Sequence, residues 1–468
     1  MFHPKLQRYR GILILMAWGG AVIALGLLRY DAYGIDETAA RALLVSWTVV
    51  DRIVNPIVIM GAPDFRALVF LPLALYWPGS FVAMKVFMLL ALFGAVALLF
   101  RWSRRAFDDE TALIASGLTL IAPLTFMQVN AGGAGPFLLL FFGLGLWLNS
   151  TYRTKGKQLG GWYFAQLLLT VIAVSIHPAG LAYPLALAWE WHKNPVDLRQ
   201  KKQFLIGLAL ASLFVLVIRF GWPALQWGIN PLVSLGDAVM GKTPVDPLPT
   251  QWTAGIVPGL ILAAIMYFNI DQFKTDLMAR MLGIAVIIGL AAADYSWTLI
   301  ALVLVLYLGT PLLIRINAGL GSNSLAGQRG IVMAVVFIVA TLFMLGDRAY
   351  RTGLISGTIV GEDEIIKSLV DETAGNEERF NTVSQWPGKT MLALKRPVFP
   401  LPPRTETPEE LLGSLGDVSF LIFDPRDPPN LWLGQHIANL SGVMETLVQT
   451  PDGVIVKLRR DATQPGDE

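Results

Sequence analysis

The stretch RYDAYGIDETAARALL (residues 29–44) follows directly on the first long apolar run of the chain and begins with three acids, Asp31, Asp36 and Glu37. The apolar run has no small-residue cleavage site after its core, which indicates a retained helix rather than a removed signal peptide. Charged side chains are costly within a bilayer, so the adjacent pair Asp36–Glu37 is expected at its surface. The stretch therefore marks the first exit of the chain from a membrane.

The composition is typical of a membrane protein. Hydrophobic residues make up 54% of the 468 residues and charged residues 15%, and the mean hydropathy is +0.56, whereas soluble proteins carry roughly 25% charged residues. The formal net charge of +2 leaves no basic face of the kind that nucleic-acid binding needs. The chain has no cysteine and four scattered histidines, which excludes disulfides, thiolate chemistry and histidine clusters. Any metal ion must be held by carboxylates.

Apolar runs that approach the ~20 residues needed to cross a bilayer recur along the chain. Lys and Arg lie mainly in alternate loops, 17 residues against five, which places the N-terminus in the cytoplasm and the protein in a bacterial inner membrane. Because the number of predicted spans is odd, the segment after residue 345 is expected in the periplasm. The eleven predicted spans are residues 11–28, 80–100, 111–129, 136–149, 162–176, 178–190, 204–220, 253–268, 281–293, 297–314 and 331–345.

Residues 346–468 have a different character, because charge returns and prolines cluster. Apolar runs at 390–394, 418–423 and 453–458 predict strands. Helical patterns separate them, at 362–372 and at 407–415, where Thr407 is the expected N-cap. No internal repeat is visible. The sequence thus predicts a membrane domain at 1–345 and an extracytoplasmic α/β domain at 346–468.

The first outer loop, residues 29–79, is predicted to contain two interfacial helices. Apolar residues recur at helical spacing in DETAARALLVSWTVVDRIV (residues 36–54), which predicts an amphipathic helix lying along the membrane surface. FRALVFLPLALYW (residues 65–77) predicts a second, shorter helix that ends in Tyr76 and Trp77 at headgroup depth.

This arrangement resembles the C-type (GT-C) glycosyltransferases that use polyprenyl-phosphate sugars, among them protein mannosyltransferases and lipid A aminoarabinose transferases. GIDETAARALL matches the acidic pair that follows the first span in that family, and APDFRALVFLPLALYW loosely matches a later stretch with a basic residue and Tyr-Trp. The chain departs from the family in two places: Ala67 and Leu68 stand where prolines are usual, and VNAGGAGPF (residues 129–137) lacks a further acid. The resemblance implies an all-α polytopic membrane bundle of GT-C type with a C-terminal extracytoplasmic α/β domain.

The resemblance also assigns roles to residues. Asp36 matches the catalytic acid and is expected to act as the general base that deprotonates an acceptor hydroxyl. Glu37 is expected to orient the acceptor or to hold a divalent cation, Mg²⁺ or Mn²⁺, together with Asp36. Arg66 is the first candidate for binding the donor phosphate. The further candidates for contacts with the donor are Arg219, Lys85 and His177.

Each of these residues also has a structural explanation. Asp36 and Glu37 could simply favour the N-terminus of a helix through its dipole. Arg66 and Lys85 could extend to lipid headgroups. His177, in SIHPAGLAYP, could be a turn residue between two spans.

Three functions remain open from the sequence. The first is transfer of a sugar from a polyprenyl-phosphate donor to a lipid, glycan or protein acceptor at the periplasmic face, with inversion at the anomeric carbon. The second is a non-catalytic scaffold subunit of an envelope complex. The third is a transporter or flippase, which the few interior charges disfavour. The long outer loop at 221–252 is expected to close over the site as a lid.

Overall fold

The computed structural model describes residues 31–51, 66–107, 109–155, 159–193, 198–220, 257–292, 296–319, 359, 361–374, 380–427 and 430–459. The predicted spans at 11–28 and 331–345 and the predicted lid at 221–252 lie outside these ranges. The described residues form two compact units. The α/β unit contains residues 31–51, 66–83 and the described part of the chain after residue 358, and the helical unit contains the described residues from 84 to 319.

The first outer loop forms two helices that pack against each other, and both were predicted. Helix α1 spans Glu37–Asp51 and helix α2 spans Arg66–Tyr76. Trp47 of α1 meets Phe81 edge to face, with ring centroids 5.8 Å apart. Beyond α2 the chain turns at Gly79, whose positive φ of 71° is open to glycine at no steric cost. Tyr76 and Trp77 are exposed, by 75% and 59%, as residues at a headgroup layer would be.

The helical unit is built from α-helices joined by short connections. Three breaks are local in origin; for example, α4 ends before Pro123 because proline has no N–H to continue the helix and starts a new one instead. The helices are α3 (Phe81–Ala106), α4 (Asp109–Ile121), α5 (Pro123–Ala131), α6 (Gly135–Lys155), α7 (Leu159–Ile176), α8 (Ala182–Lys193), α9 (Leu198–Phe220), α10 (Val257–Phe268), α11 (Ile270–Thr275), α12 (Leu277–Ala292) and α13 (Ser296–Gly319), with a 3₁₀ turn at Pro178–Leu181 between α7 and α8.

Nine of the eleven predicted spans overlap these helices. Within the described residues, α3 is long and apolar enough to cross a membrane, and α4 with α5 makes a second span if the bent pair is counted as one. Helices α6, α7, α9, α12 and α13 carry shorter apolar stretches. The count of eleven spans stays a prediction.

Two buried polar contacts tie helices together in the helical unit. The guanidinium of Arg280 on α12 lies 2.5 Å from the carboxylate of Glu190 on α8, and both side chains are buried. The indole N–H of Trp102 on α3 donates to the carboxylate of Asp276, just before α12, at 3.0 Å. Removing one partner from a buried ion pair leaves an uncompensated charge, which costs about 3–5 kcal/mol. These contacts therefore hold α3, α8 and α12 in fixed relation.

The turn between α7 and α8 packs so closely that it predicts a sensitive glycine. A Cβ at Gly180 would lie 2.0 Å from the carbonyl oxygen of Ala173, a backbone atom that cannot move aside. Gly180→Ala is expected to lower the free energy of unfolding by about 1–3 kcal/mol. Gly161→Ala is the matched control, since its Cβ meets nothing within 4 Å. Thermal unfolding in detergent measures both, and equal midpoints for the two variants would contradict this packing.

The α/β unit contains a mixed five-stranded sheet in the order β2-β1-β3-β5-β4. Strand β1 is parallel to β2 and β3, and β5 is antiparallel to β3 and β4. Apolar residues on β3 alternate between two core clusters, with Leu421 and Phe423 in one and Phe420 and Ile422 in the other. The elements are α14 (Glu362–Thr373), β1 (Asn381–Ser384), α15 (Pro387–Leu394), β2 (Val398–Pro400), α16 (Pro408–Leu415), β3 (Val418–Phe423), α17 (Leu431–Asn439), β4 (Met444–Thr450) and β5 (Gly453–Leu458).

The predicted elements of this unit are mostly confirmed, with one correction. Strands β3 and β5, helix α14 and the N-cap of α16 agree with the prediction, and Thr407 Oγ1 accepts from the N–H of Glu410 at 3.2 Å. The predicted strand at 390–394 is wrong, because these residues complete α15. Pro387 at the first helical position starts that helix, and Met, Leu and Ala are good helix formers.

The structure also groups the first outer loop differently from the predicted division at residue 345. Helices α1 and α2 belong to the same compact unit as the C-terminal sheet. The reason is a set of long-range polar contacts between the start of α1 and α15, which no local sequence pattern reveals.

Candidate active site

Asp36 stands at the N-cap of α1, and its two oxygens have different surroundings. Oδ1 accepts from the backbone N–H of Ala39 and from the hydroxyl of Thr38, both at 2.6 Å. Oδ2 faces the guanidinium of Arg66, with 3.8 Å to Nη1. The side chain is 35% exposed. Oδ1 is thus engaged by the helix start, and Oδ2 is the oxygen placed to receive a proton.

Arg66 fixes this carboxylate from the neighbouring helix. Its side chain is only 3% exposed, so it does not extend to lipid headgroups. Besides lying near Asp36, its Nη2 donates to Thr38 Oγ1 at 2.6 Å. The Thr38 hydroxyl therefore accepts from Arg66 and donates to Asp36, which closes a ring of three side chains. A contact between Arg66 and a phosphate stays a prediction.

Glu37 turns away from Asp36 and joins α1 to α15. Its Oε1 accepts from the N–H of Gly388 at 2.9 Å and from Arg41 Nε at 2.7 Å, and its Oε2 accepts from the N–H of Lys389 at 2.9 Å. A carboxylate at a helix N-terminus satisfies N–H groups that the helix itself leaves without acceptors. Glu37 is therefore an anchor between the first outer loop and the C-terminal domain.

The contacts of Glu37 bear on its chemistry. Burial raises the pKa of Glu37, and Arg41 and the two backbone N–H groups act against this rise without cancelling it. Among the residues that the structure describes, no group of three or more His, Cys, Asp or Glu side chains is arranged to hold a metal ion. The binding of Mg²⁺ or Mn²⁺ by Asp36 and Glu37 stays a prediction.

The other three predicted residues belong to the helical unit. Lys85 on α3 is fully buried, so it does not extend to lipid headgroups. His177 caps the 3₁₀ turn, where its Nδ1 accepts from the N–H of Ala179 at 3.0 Å, in agreement with the turn alternative. Arg219 lies in the last turn of α9, and its side chain is outside the described part of the chain. The structure thus brings Asp36, Glu37 and Arg66 together in one unit and places Lys85, His177 and Arg219 in the other.

Lys389 and Asp363 also contact this region, although the sequence gave no signal for either. The ammonium of Lys389 lies 2.7 Å from Asp363 Oδ1 and pairs with Glu362 as well. Asp363 Oδ2 accepts from the N–H of Gly34 at 2.9 Å, two residues before Asp36. Thr38, two residues after Asp36, was also missed, although a hydroxyl in the first turn of a capped helix is a recognisable signal.

The electrostatics of Lys389 keep it charged. Burial lowers its pKa, but attraction to Glu362 and Asp363 outweighs burial, so the pKa lies above the ordinary value of 10.5. A lysine whose pKa is raised on folding contributes stability that is complete below the unfolded value and lost only as the pH rises through the folded value. The ion pairs of Lys389 are therefore intact throughout the neutral range.

The α/β unit also has an open groove of about 490 Å³. Its walls are apolar, with Val383, Phe399 and Leu415 beside three prolines, and its polar rim includes Asn381 and Asp417. None of the residues around Asp36 lines it.

The sequence matches no family model and no curated protein. Solved structures, in contrast, share its fold. The oligosaccharyltransferase AglB from Archaeoglobus fulgidus, in complex with an inhibitory peptide and a dolichol-phosphate, matches with a TM-score of 0.56 at 11% identity, over 91% of this chain and 70% of that one. ArnT from Cupriavidus metallidurans bound to undecaprenyl phosphate matches with a TM-score of 0.53 at 13% identity, over 98% of this chain and all (100%) of that one. The apo form of ArnT matches equally well, with a TM-score of 0.53.

AglB and ArnT are both GT-C glycosyltransferases, membrane enzymes with a C-terminal domain. The chain therefore has the GT-C fold. At 11–13% identity the likeness shows the fold alone.

Proposed function

We propose that this chain is a membrane glycosyltransferase that transfers one sugar from a polyprenyl-phosphate donor to a hydroxyl acceptor at the periplasmic face of a bacterial inner membrane. The observation that carries the proposal is the half-exposed Asp36 carboxylate held beside the buried Arg66 guanidinium. A chain of GT-C fold places this pair on the loop that follows its first apolar run. The structures of AglB with dolichol-phosphate and ArnT with undecaprenyl phosphate support the lipid-phosphate donor.

The geometry suggests a role for each atom in the reaction. An acceptor hydroxyl attacks the anomeric carbon, and its proton passes to Asp36 Oδ2, the oxygen that the helix cap does not use. The bond between the anomeric carbon and the phosphate oxygen breaks, and the lipid phosphate leaves with the electron pair. Attack from the side opposite the leaving group inverts the anomeric centre. Arg66 holds Oδ2 in place and contributes positive potential where the phosphate gains negative charge.

A transfer assay tests the proposal directly. The protein is reconstituted in proteoliposomes that contain undecaprenyl phosphate carrying a radiolabelled hexose or pentose, together with an extract of envelope lipids and glycans as acceptors. We expect time-dependent movement of label from the donor to an acceptor, with release of undecaprenyl phosphate. If no donor in a broad panel loses its label, and undecaprenyl phosphate alone does not bind, the proposal is wrong.

A second function, a non-catalytic scaffold of an envelope complex, is favoured by one observation. Both acids have structural roles, because Asp36 caps α1 and Glu37 anchors α15. A scaffold with this fold would keep both contacts and turn over no donor. Measured turnover in the same proteoliposomes decides between the two functions.

Thr38 gives a prediction with a built-in control. Thr38→Val keeps the shape of the side chain but removes the hydroxyl that joins Arg66 to Asp36. Hydrogen bonds to charged groups are worth about 1.5–3 kcal/mol, so kcat is expected to fall roughly 10- to 100-fold. Thr38→Ser retains the hydroxyl and is expected to stay within about threefold of wild type, well inside the worth of one such bond. Equal rates for the valine and serine variants would show that the bridge has no part in turnover.

A further inference from the structure

The chain is fastened to the C-terminal domain on both sides of Asp36. On the N-terminal side, the N–H of Gly34 donates to Asp363 Oδ2 at 2.9 Å. On the C-terminal side, Glu37 accepts from the N–H groups of Gly388 and Lys389, each at 2.9 Å. These two attachments, called the clamp below, enclose only Ile35 and Asp36. The position of the carboxylate therefore depends on residues more than 300 positions further along the chain.

Lys389 connects the two halves of the clamp. Its backbone N–H binds Glu37, and its ammonium binds Asp363, the residue that holds Gly34. Its side chain is 5% exposed, and it pairs with Glu362 as well. One residue thus contacts the second half of the clamp through its main chain and supports the first half through its side chain.

The contact between α1 and α15 leaves no spare room. A Cβ at Gly388 would lie 3.0 Å from Arg41 Cγ and 3.1 Å from Glu37 Oε1. It would also lie 3.2 Å from the backbone nitrogen of Arg41. Glycine at this position lets the start of α15 approach α1 closely enough for both hydrogen bonds of Glu37. A methyl group here would push the two helices apart.

We propose that Lys389, acting through the clamp, is a positioning residue that sets the location of the Asp36 carboxylate. The C-terminal domain is then a working part of the site that the proposed function assigns to Asp36, and this inference rests on that function. Reacting groups need alignment to within a fraction of an ångström, and a displacement of ~1 Å can reduce the rate about 100-fold. A base at the start of a helix has little else to hold it laterally, which explains why both neighbours of Asp36 are tied to one domain.

The test compares Lys389→Met with Lys367→Met, an exposed lysine on α14 that serves as the matched control. Hydrogen–deuterium exchange of the amides at 37–44 reports the clamp without reference to activity. We expect exchange there to become at least about tenfold faster in Lys389→Met and to be unchanged in Lys367→Met. In the transfer assay, kcat of Lys389→Met is expected to fall roughly 10- to 100-fold, with KM for the donor and binding of undecaprenyl phosphate unchanged.

A second pair of variants keeps the proposal testable if Lys389→Met does not fold. Gly388→Ala separates α15 from α1 without removing a charge, and alanine is compatible with the helix. Gly413→Ala on α16 is its control, because a Cβ there meets nothing within 4 Å. The same rise in exchange and the same fall in kcat are expected for Gly388→Ala alone.

The outcomes separate the clamp from the proposed function. Unchanged exchange at 37–44 in a folded Lys389→Met or Gly388→Ala protein overturns the clamp. Faster exchange with wild-type kcat overturns the positioning role, and transfer by glycosylation of acceptor would still stand. A wild-type protein that transfers no sugar overturns the proposed function and, with it, any positioning of a base, even if exchange shows that Lys389 holds the loop.

Discussion

Asp36→Asn is expected to lower kcat by about 10²- to 10⁴-fold, the range that a positioned general base contributes. The amide cannot take the proton of an acceptor hydroxyl at neutral pH. It can still cap α1, because its oxygen replaces the Oδ1 that accepts from Ala39 and Thr38, and Asn is as good an N-cap as Asp. Thermal stability and binding of undecaprenyl phosphate are therefore expected to stay close to wild type. The measurement is steady-state transfer in proteoliposomes beside thermal unfolding of the same preparation.

Two further variants make the result specific. Asp371→Asn removes a carboxylate that is exposed on α14 and is expected to leave transfer unchanged. Asp36→Ala removes the cap as well as the base, so it is expected to lose about 1 kcal/mol of stability that Asp36→Asn retains. Full activity in Asp36→Asn would exclude Asp36 as the base and would favour a scaffold or a base elsewhere.

Arg66→Gln is expected to lower kcat roughly 100- to 1,000-fold, the loss seen when one preorganised donor to a developing negative charge is removed. The substitution removes the charge beside Asp36 Oδ2 and weakens the bond to Thr38. Stability should fall too, because Arg66 is buried and the substitution leaves the Asp36 carboxylate without its cation. The loss is limited, since Asp36 is 35% exposed and water can solvate it.

Arg66→Lys separates charge from geometry. Lysine keeps the positive charge but lacks the planar fork that reaches Asp36 and Thr38 at once. Its kcat is expected to lie between those of wild type and Arg66→Gln. Arg426→Gln, which removes a partly exposed guanidinium elsewhere in the α/β unit, is the control and should behave as wild type. Wild-type kcat in Arg66→Gln would remove Arg66 from the site.

Much of the candidate site was predictable because its parts are near one another along the chain. Asp36, Glu37 and Thr38 are consecutive at the start of an amphipathic helix, and Arg66 begins the next helix. The resemblance to GT-C enzymes singled out Asp36 and Arg66, and the structure places them 3.8 Å apart. It also paired Glu37 with Asp36 for chemistry, whereas the structure directs both oxygens of Glu37 to Gly388, Lys389 and Arg41.

The misassigned segment at 390–394 shows how a short pattern fails. TMLAL is apolar enough for a buried strand and equally suited to a helix, and the sheet settles the matter. Strand β1, at Asn381–Ser384, already occupies the position beside β3, and α15 is the crossover that parallel β2 requires. No window of five residues contains that information.

The sequence by itself determined what depends on neighbouring residues: membrane composition, helices from their apolar period, strands β3 and β5, and the cap at Thr407. Only the tertiary structure decided that the first outer loop packs with the C-terminal domain and that Glu37 and Lys389 meet across 352 positions. Local patterns report the free energy of burying one face of one segment. A hydrogen bond between distant segments depends instead on where the whole chain brings them together, and this contact leaves no periodic trace at either end.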